Sequence, residues 1–210
     1  MSKYIEQTRE VCRYPFTDPH GTVLFEKVRY EILNPRPGGR QKTFRYFNPN
    51  AALPIDQRRK PAEADSILYN LPAVLAAVAD GRIVHWTEGE ADCDALTALG
   101  YATTSHHQGA GHVTPEQAAW LRGAERVVLW TDRDIPGAYD VRRRWHLLLA
   151  AGVPEDGIVI ATALTGKDVR DHLAAGHSVT EAVAVDKATV TELAAQYTAA
   201  AARKAGYRAV

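Results

Sequence analysis

The sequence predicts an α/β protein: a core of about four parallel strands flanked by helices, preceded by a small antiparallel β subdomain. Two observations carry this. In "TVLFEKVRYEIL" (22–33) the residues Val23, Phe25, Lys27, Arg29 and Glu31 alternate with Leu24, Glu26, Val28, Tyr30 and Ile32, the period of a half-buried strand. Near residue 70 the rhythm changes, and apolar runs of strand length then alternate with segments of helical period, as in a parallel sheet covered on both faces.

The elements follow in order. After the first strand, "NPRPGG" supplies turn chemistry, and "KTFRYF" (42–47) closes a hairpin. Residues 48–65, rich in proline and basic side chains, connect the two parts. Beyond them come the helix "PAVLAAVADG", the strand "RIVHWTE", the helix "ADCDALTALG", the strand "YATTSH" and the loop "HQGAGHV". The helix "TPEQAAWLRG", the strand "ERVVLWTD", the helix "AYDVRRRWHLLLAAG" and the strand "GIVIATAL" continue the alternation. Two short helices start near Lys167 and Val179, and the alanine-rich end has the propensity of a terminal helix. The expected organisation is a basic β subdomain and linker over 1–70, the main α/β domain over 71–185 and a C-terminal helix over 186–210. Trp86 and Trp130 are expected in the core. Val141, Trp145 and Leu148 mark the buried stripe of their helix, which sends Arg142, Arg143 and Arg144 to solvent.

Composition narrows the chemistry. The formal net charge is +0, so no global field draws the chain to a polyanion, yet charge is unevenly spread. Arg36, Arg40, Lys42, Arg45, Arg58, Arg59 and Lys60 face only Asp56 between residues 36 and 60, whereas residues 85–95 hold four acids and no Lys or Arg. Cys12 and Cys93 are too few for a disulfide framework or a cysteine-ligated zinc module, which suits a reducing cytoplasm. No signal pattern opens the chain and no apolar run reaches membrane-spanning length, so a cytoplasmic protein without membrane contact is expected.

Two strand ends are acidic. "IVHWTEGEADCDAL" places Glu88 at a strand terminus and Asp92 one helical turn later; "VVLWTDRDIPGAY" places Asp132 and Asp134 at another, on one side of the chain. In a parallel sheet such ends collect ligands. Converging carboxylates repel one another unless a cation intervenes, and oxygen ligands of this kind suit Mg²⁺ or Mn²⁺. Since Mg²⁺ usually completes its shell with water and substrate phosphate, the pattern points to phosphoryl or nucleotidyl transfer. A lone Asp-x-Asp is more often turn or cap chemistry; the second acidic strand end is what favours a site.

With these residues in view, "EGEADCDAL" followed by "VVLWTDRDIPGA" resembles the Toprim domain of bacterial-type primases, topoisomerases and some nucleases. The resemblance covers roughly residues 80–175 and is closest to primases of phages and mobile elements, whose further acid matches Asp92 and whose Lys-Asp pair matches Lys167 and Asp168 in "LTGKDVRDHL". It implies Glu88, Asp132 and Asp134 as Mg²⁺ or Mn²⁺ ligands, Asp92 and Asp168 as supporting ligands, and Lys167 as a stabiliser of phosphate charge. The implied activity is metal-dependent synthesis of short RNA primers on a single-stranded DNA template from ribonucleoside triphosphates. Implied partners are a replicative helicase or a separate zinc-binding primase subunit. The chain departs from full-length primases in lacking the zinc-binding module and a helicase motor: "ATALTGKD" is no P-loop, because Ala161 and Asp168 stand at two of its defining positions. A nuclease using the same acids, and an inert nucleic-acid or replisome binding module, are the competing readings.

Arg40, Lys42, Arg45, Tyr46 and Phe47 mix cations with rings on one hairpin, either as a groove for a single strand or as a solvated basic face over core aromatics. His106, His107 and His112 lack the cysteine or nearby acid that would complete a zinc site, and their glycines suggest a mobile loop touching nucleotide or template.

Overall fold

The computed structural model describes residues 5–49 and 61–204. Arg58, Arg59, Lys60 and Asp56 of the basic segment lie outside the described residues.

Strands β1 (Thr8–Thr17), β2 (Val23–Ile32) and β3 (Lys42–Phe47) form a three-stranded antiparallel sheet in that order. The hairpin of β2 and β3 is the expected one. Strand β1 was not expected, because Arg9, Glu10, Val11 and Arg13 are exposed and only Tyr14 and Phe16 are buried, so its first half carries no apolar alternation. Its turn into β2 is built by Asp18, whose carboxylate accepts from the amides of His20 (2.8 Å) and Thr22 (2.9 Å).

The second layer contains α1 (Leu71–Ala79), β4 (Val84–Trp86), α2 (Glu90–Thr97), β5 (Ala102–Thr104), α3 (Pro115–Ala119) and β6 (Val127–Thr131). It continues with α4 (Ile135–Ala151), β7 (Ile158–Thr162), α5 (Val169–Ala174), β8 (Val183–Ala184) and α6 (Lys187–Lys204). The strands make one five-stranded sheet ordered β5-β4-β6-β7-β8, in which only β8 runs antiparallel. Four parallel strands with helical crossovers is the expected core.

A continuous hydrophobic cluster joins the two sheets. Phe16 and Phe25 of the small sheet stack at 4.6 Å, Phe16 packs on Tyr69 at 5.3 Å, and the same cluster contains Leu71, Trp86, Leu129, Val141 and Ile160. Each fully buried side chain of this size contributes on the order of 1.5–3 kcal/mol. Trp86 and Trp130 are buried, as expected. No helix among the described residues is long and apolar enough to cross a membrane.

Two expectations for α4 are corrected. It starts at Ile135 rather than Ala138, since a proline in the first turn forfeits no intrahelical bond and Asp134 caps the helix by accepting from Gly137 N at 2.8 Å. Arg144 does not face solvent: it is 0% exposed. Residue 144 lies three after Val141 and four before Leu148, hence on the buried stripe, and a hydrophobicity pattern reads an arginine there as polar surface.

Candidate active site

The strand order reverses between β4 and β6: β5 lies to one side of β4, and the chain then returns to lay β6 on the other. Ligands of open parallel sheets bind at this crevice, beyond the carboxyl ends of the strands. Glu88 follows β4 and Asp132 follows β6, so the reversal brings two residues 44 apart in sequence to one crevice. They touch: the amide of Asp132 donates to Glu88 Oε1 at 2.9 Å. Gly137, in the first turn of α4, makes room for this. A Cβ there would stand 2.6 Å from both Glu88 Oε1 and the Asp132 carbonyl oxygen.

Asp134 lies on the same edge. Lys167 Nζ sits 3.0 Å from Asp132 Oδ2 and 2.9 Å from Asp134 Oδ2, so one ammonium bridges the Asp-x-Asp pair. Arg170 Nε lies 3.1 Å from Asp92 Oδ1, and its terminal nitrogen 3.3 Å from Asp168 Oδ2. Asp168 also caps α5, accepting from Asp171 N at 3.0 Å. Charge is therefore dense and only partly compensated. Burial, with the neighbouring Asp132 and Asp140 charges, pushes the Glu88 carboxyl up to about 8 despite the opposing Arg144 cation. Burial and then Asp168 push Asp92 up to about 6. Burial also raises Asp132 against the pull of Lys167, while the hydrogen bonds Lys167 donates to Asp134 and Asp132 raise its ammonium.

A cleft of about 620 Å³ separates this acidic edge from the small sheet. Glu88, Asp92, Asp132 and Asp168 line one wall; Lys27, Arg29, Lys42 and Phe44 line the other. Asp134 opens instead onto an adjoining groove of about 350 Å³, which it shares with Asp132, Ile135 and Leu193. The hairpin residues divide by strand parity. Lys42, Phe44 and Tyr46 face the cleft. Arg45 lies on the other face, 4.8 Å over the Tyr30 ring, and Phe47 lies there beneath the Arg13 guanidinium at 5.3 Å. Arg40 precedes the strand and pairs with Glu6 at 3.1 Å. Tyr46 is half-buried and its hydroxyl donates to the His107 carbonyl at 3.2 Å; burial pushes the phenol up to about 12.

The glycine loop contributes Gln108, Gly109 and exposed His112 to the cleft. His106 and His107 are buried beneath it, each against a carboxylate: His106 Nε2 lies 3.4 Å from Asp140, His107 Nε2 3.1 Å from Asp65. Sequence reading missed Lys27, Arg29, Phe44 and Arg170. Phe44 and Lys27 carried a signal, since both share strand parity with residues now seen in the cleft; Arg170 carried none beyond lying two residues after Asp168.

No three His, Cys, Asp or Glu side chains among the described residues are arranged around one point as a finished metal cage. The donor chemistry nevertheless fits Mg²⁺ or Mn²⁺. Such ions are commonly held by one or two carboxylates, and Asp132 and Asp134 already share a single cationic centre in the Lys167 ammonium.

No protein-family model matches the chain, and no curated protein matches it. Solved structures do. The Escherichia coli primase catalytic core aligns at a TM-score of 0.57 and 16% identity, over 88% of this chain and 56% of that one. The Aquifex aeolicus primase, comprising zinc-binding and RNA polymerase domains, aligns at 0.52 and 18% identity, over 82% and 40%. A DnaG primase catalytic domain bound to single-stranded DNA aligns at 0.52 and 17% identity, over 82% and 51%. The chain thus spans about half the length of these structures, and its fold is that of a bacterial primase catalytic core.

Proposed function

We propose that this chain is a primase-type nucleotidyltransferase core with a Toprim site of the phage and mobile-element kind, making short RNA on single-stranded DNA. The observation that carries the reading is the opposition of an acidic edge, at the switch point of the sheet, to a basic wall across one cleft. Glu88, Asp132 and Asp134 would hold Mg²⁺ or Mn²⁺, with Asp92 and Asp168 in support. When bound, the ion supplies positive charge for the triphosphate and for the attacking 3′-hydroxyl.

The chain's own residues do the rest. Arg29 and Lys42 bind phosphate oxygens from the far wall, and Phe44, 37% exposed between Lys27 and Lys42, offers a ring for a base. Glu88 Oε1 is engaged by the Asp132 amide, which fixes the carboxylate and leaves Oε2 to help hold the ion. Lys167, more than half exposed, turns from the aspartates to the leaving phosphates. Template reading by a zinc-binding subunit and coupling to a helicase are assigned to partner proteins, in a cytoplasmic setting.

The experiment is a priming assay with single-stranded DNA, ribonucleoside triphosphates and Mg²⁺ or Mn²⁺. Wild type is expected to extend product, and Asp132→Asn/Asp134→Asn to lose it. Equal product from both proteins defeats the assignment, and shortening of labelled DNA without nucleotides makes the same site a nuclease.

A further inference from the structure

The pairing of β4 with β6 stops at Trp86 opposite Leu129, and beyond it the two chains carry Glu88 and Asp132 into the crevice. Beneath that point lies one guanidinium. Arg144 Nη1 donates to the Trp86 carbonyl at 2.7 Å and Nη2 to the Trp130 carbonyl at 2.9 Å. Each carbonyl stands two residues before an acid of the site, so a single planar group spans both acid-bearing strand ends.

The guanidinium is itself fixed. Its Nε donates to Asp140 Oδ2 at 2.7 Å, one helical turn back on α4. Asp140 Oδ1 accepts from Gly111 N at 2.7 Å, tying the glycine loop to the same network. Both side chains are 0% exposed. The Arg144 guanidinium, 2.7 Å away, outweighs burial and holds the Asp140 carboxyl below the usual range. Well-packed apolar side chains of similar size commonly replace such a buried pair without loss of stability. Folding alone therefore does not account for it. What apolar residues do not supply is several divergent donors in one rigid plane. Asp134 caps this same helix, so α4 presents one acid directly and braces the strands that bear the other two.

We propose that Arg144, oriented by Asp140, is a positioning residue that sets the spacing of Glu88 and Asp132. The inference rests on the metal site proposed above for its function, though not for its geometry. The test compares wild type with Arg144→Lys, which keeps the charge but cannot reach both carbonyls, and with Asp140→Leu/Arg144→Met, an apolar replacement of the pair. Two quantities are measured well below the unfolding temperature: exchange of the Asp132 amide by NMR without metal, and Mn²⁺ affinity by counting free ion with electron paramagnetic resonance.

Faster Asp132 exchange and roughly tenfold weaker Mn²⁺ binding in both variants are expected, the loss typical when support behind metal ligands is removed. Arg143→Ala, which alters the neighbouring arginine, should match wild type in both. Folded variants with wild-type Asp132 exchange overturn the inference whatever the metal does. A wild-type protein that binds no Mn²⁺ overturns the functional reading instead, and the exchange data then decide the inference alone.

Discussion

Lys27 on β2 meets Glu90 on α2 at 2.7 and 2.9 Å, a buried ion pair that fastens the small sheet to the first turn of the helix following Glu88. Neither partner is accessible, at 7% and 3% exposure. Removing one strands the other as an unpaired buried charge. Lys27→Ala is therefore expected to cost about 3–5 kcal/mol, whereas Lys27→Met/Glu90→Leu recovers most of it. Urea unfolding of the single and double variants checks this; equal losses would mean that the pair is solvated in solution.

Gly137→Ala separates helix propensity from the needs of the site. In an ordinary helix interior the change gains about 1 kcal/mol. Here the new methyl would meet Glu88 Oε1 and the Asp132 carbonyl, one of them backbone. The variant should be destabilised, by about 1–3 kcal/mol, and should bind Mn²⁺ more weakly than wild type. Thermal unfolding with a Mn²⁺ titration reads both; a more stable variant with unchanged affinity contradicts the packing described.

Strand parity makes a prediction for nucleic-acid binding. Lys42 faces the cleft and Arg45 faces away. Fluorescence anisotropy of a labelled single strand across a salt series should show Lys42→Ala flattening the salt slope by about one phosphate contact, with Arg45→Ala leaving it unchanged. Phe44→Ala should cost about 1–3 kcal/mol of binding at every salt concentration if a base stacks on the ring. The reverse ranking of Lys42 and Arg45 would place the strand on the outer face of the hairpin.

His85 sets an acid limit on stability. It is 4% exposed, and its Nδ1 accepts from Trp130 Nε1 at 3.1 Å, so the neutral ring is the one that fits. Burial pushes its pKa down to about 4 from an ordinary 6.5. Between those values the unfolded chain binds the proton and the folded chain does not. Stability should therefore fall as pH drops through 6.5 towards 4, by roughly 3 kcal/mol from this residue, and be fully present above 6.5. His85→Asn keeps an acceptor without the titration and should flatten that part of the urea-midpoint profile; an unaltered slope assigns the acid sensitivity to other groups.

Much of this protein is local chemistry and was legible as such. Alternation in Val23–Ile32, the turn residues after it, and apolar runs separated by helical segments specify the hairpin and four parallel strands, because side-chain period and turn chemistry act within a few residues. The acids stand out for the same reason: Glu88, Asp132 and Asp134 end apolar runs, where a carboxylate has no business in a core. Other features belong to tertiary structure alone. Strand β1 pairs through its backbone while exposing most of its side chains, so its signal lies in the partner strand. Arg144 reads as a surface residue and nothing in the sequence marks Lys27 as buried, since a charge enters a core only when a partner distant in sequence satisfies it there: the carbonyls of Trp86 and Trp130 for the first, Glu90 for the second. Which hairpin residues share the cleft was likewise decided by the face that β3 turns towards the acids. That orientation follows from Phe16 packing on Tyr69 and Phe25 on His107, contacts between residues too far apart for any periodicity to connect.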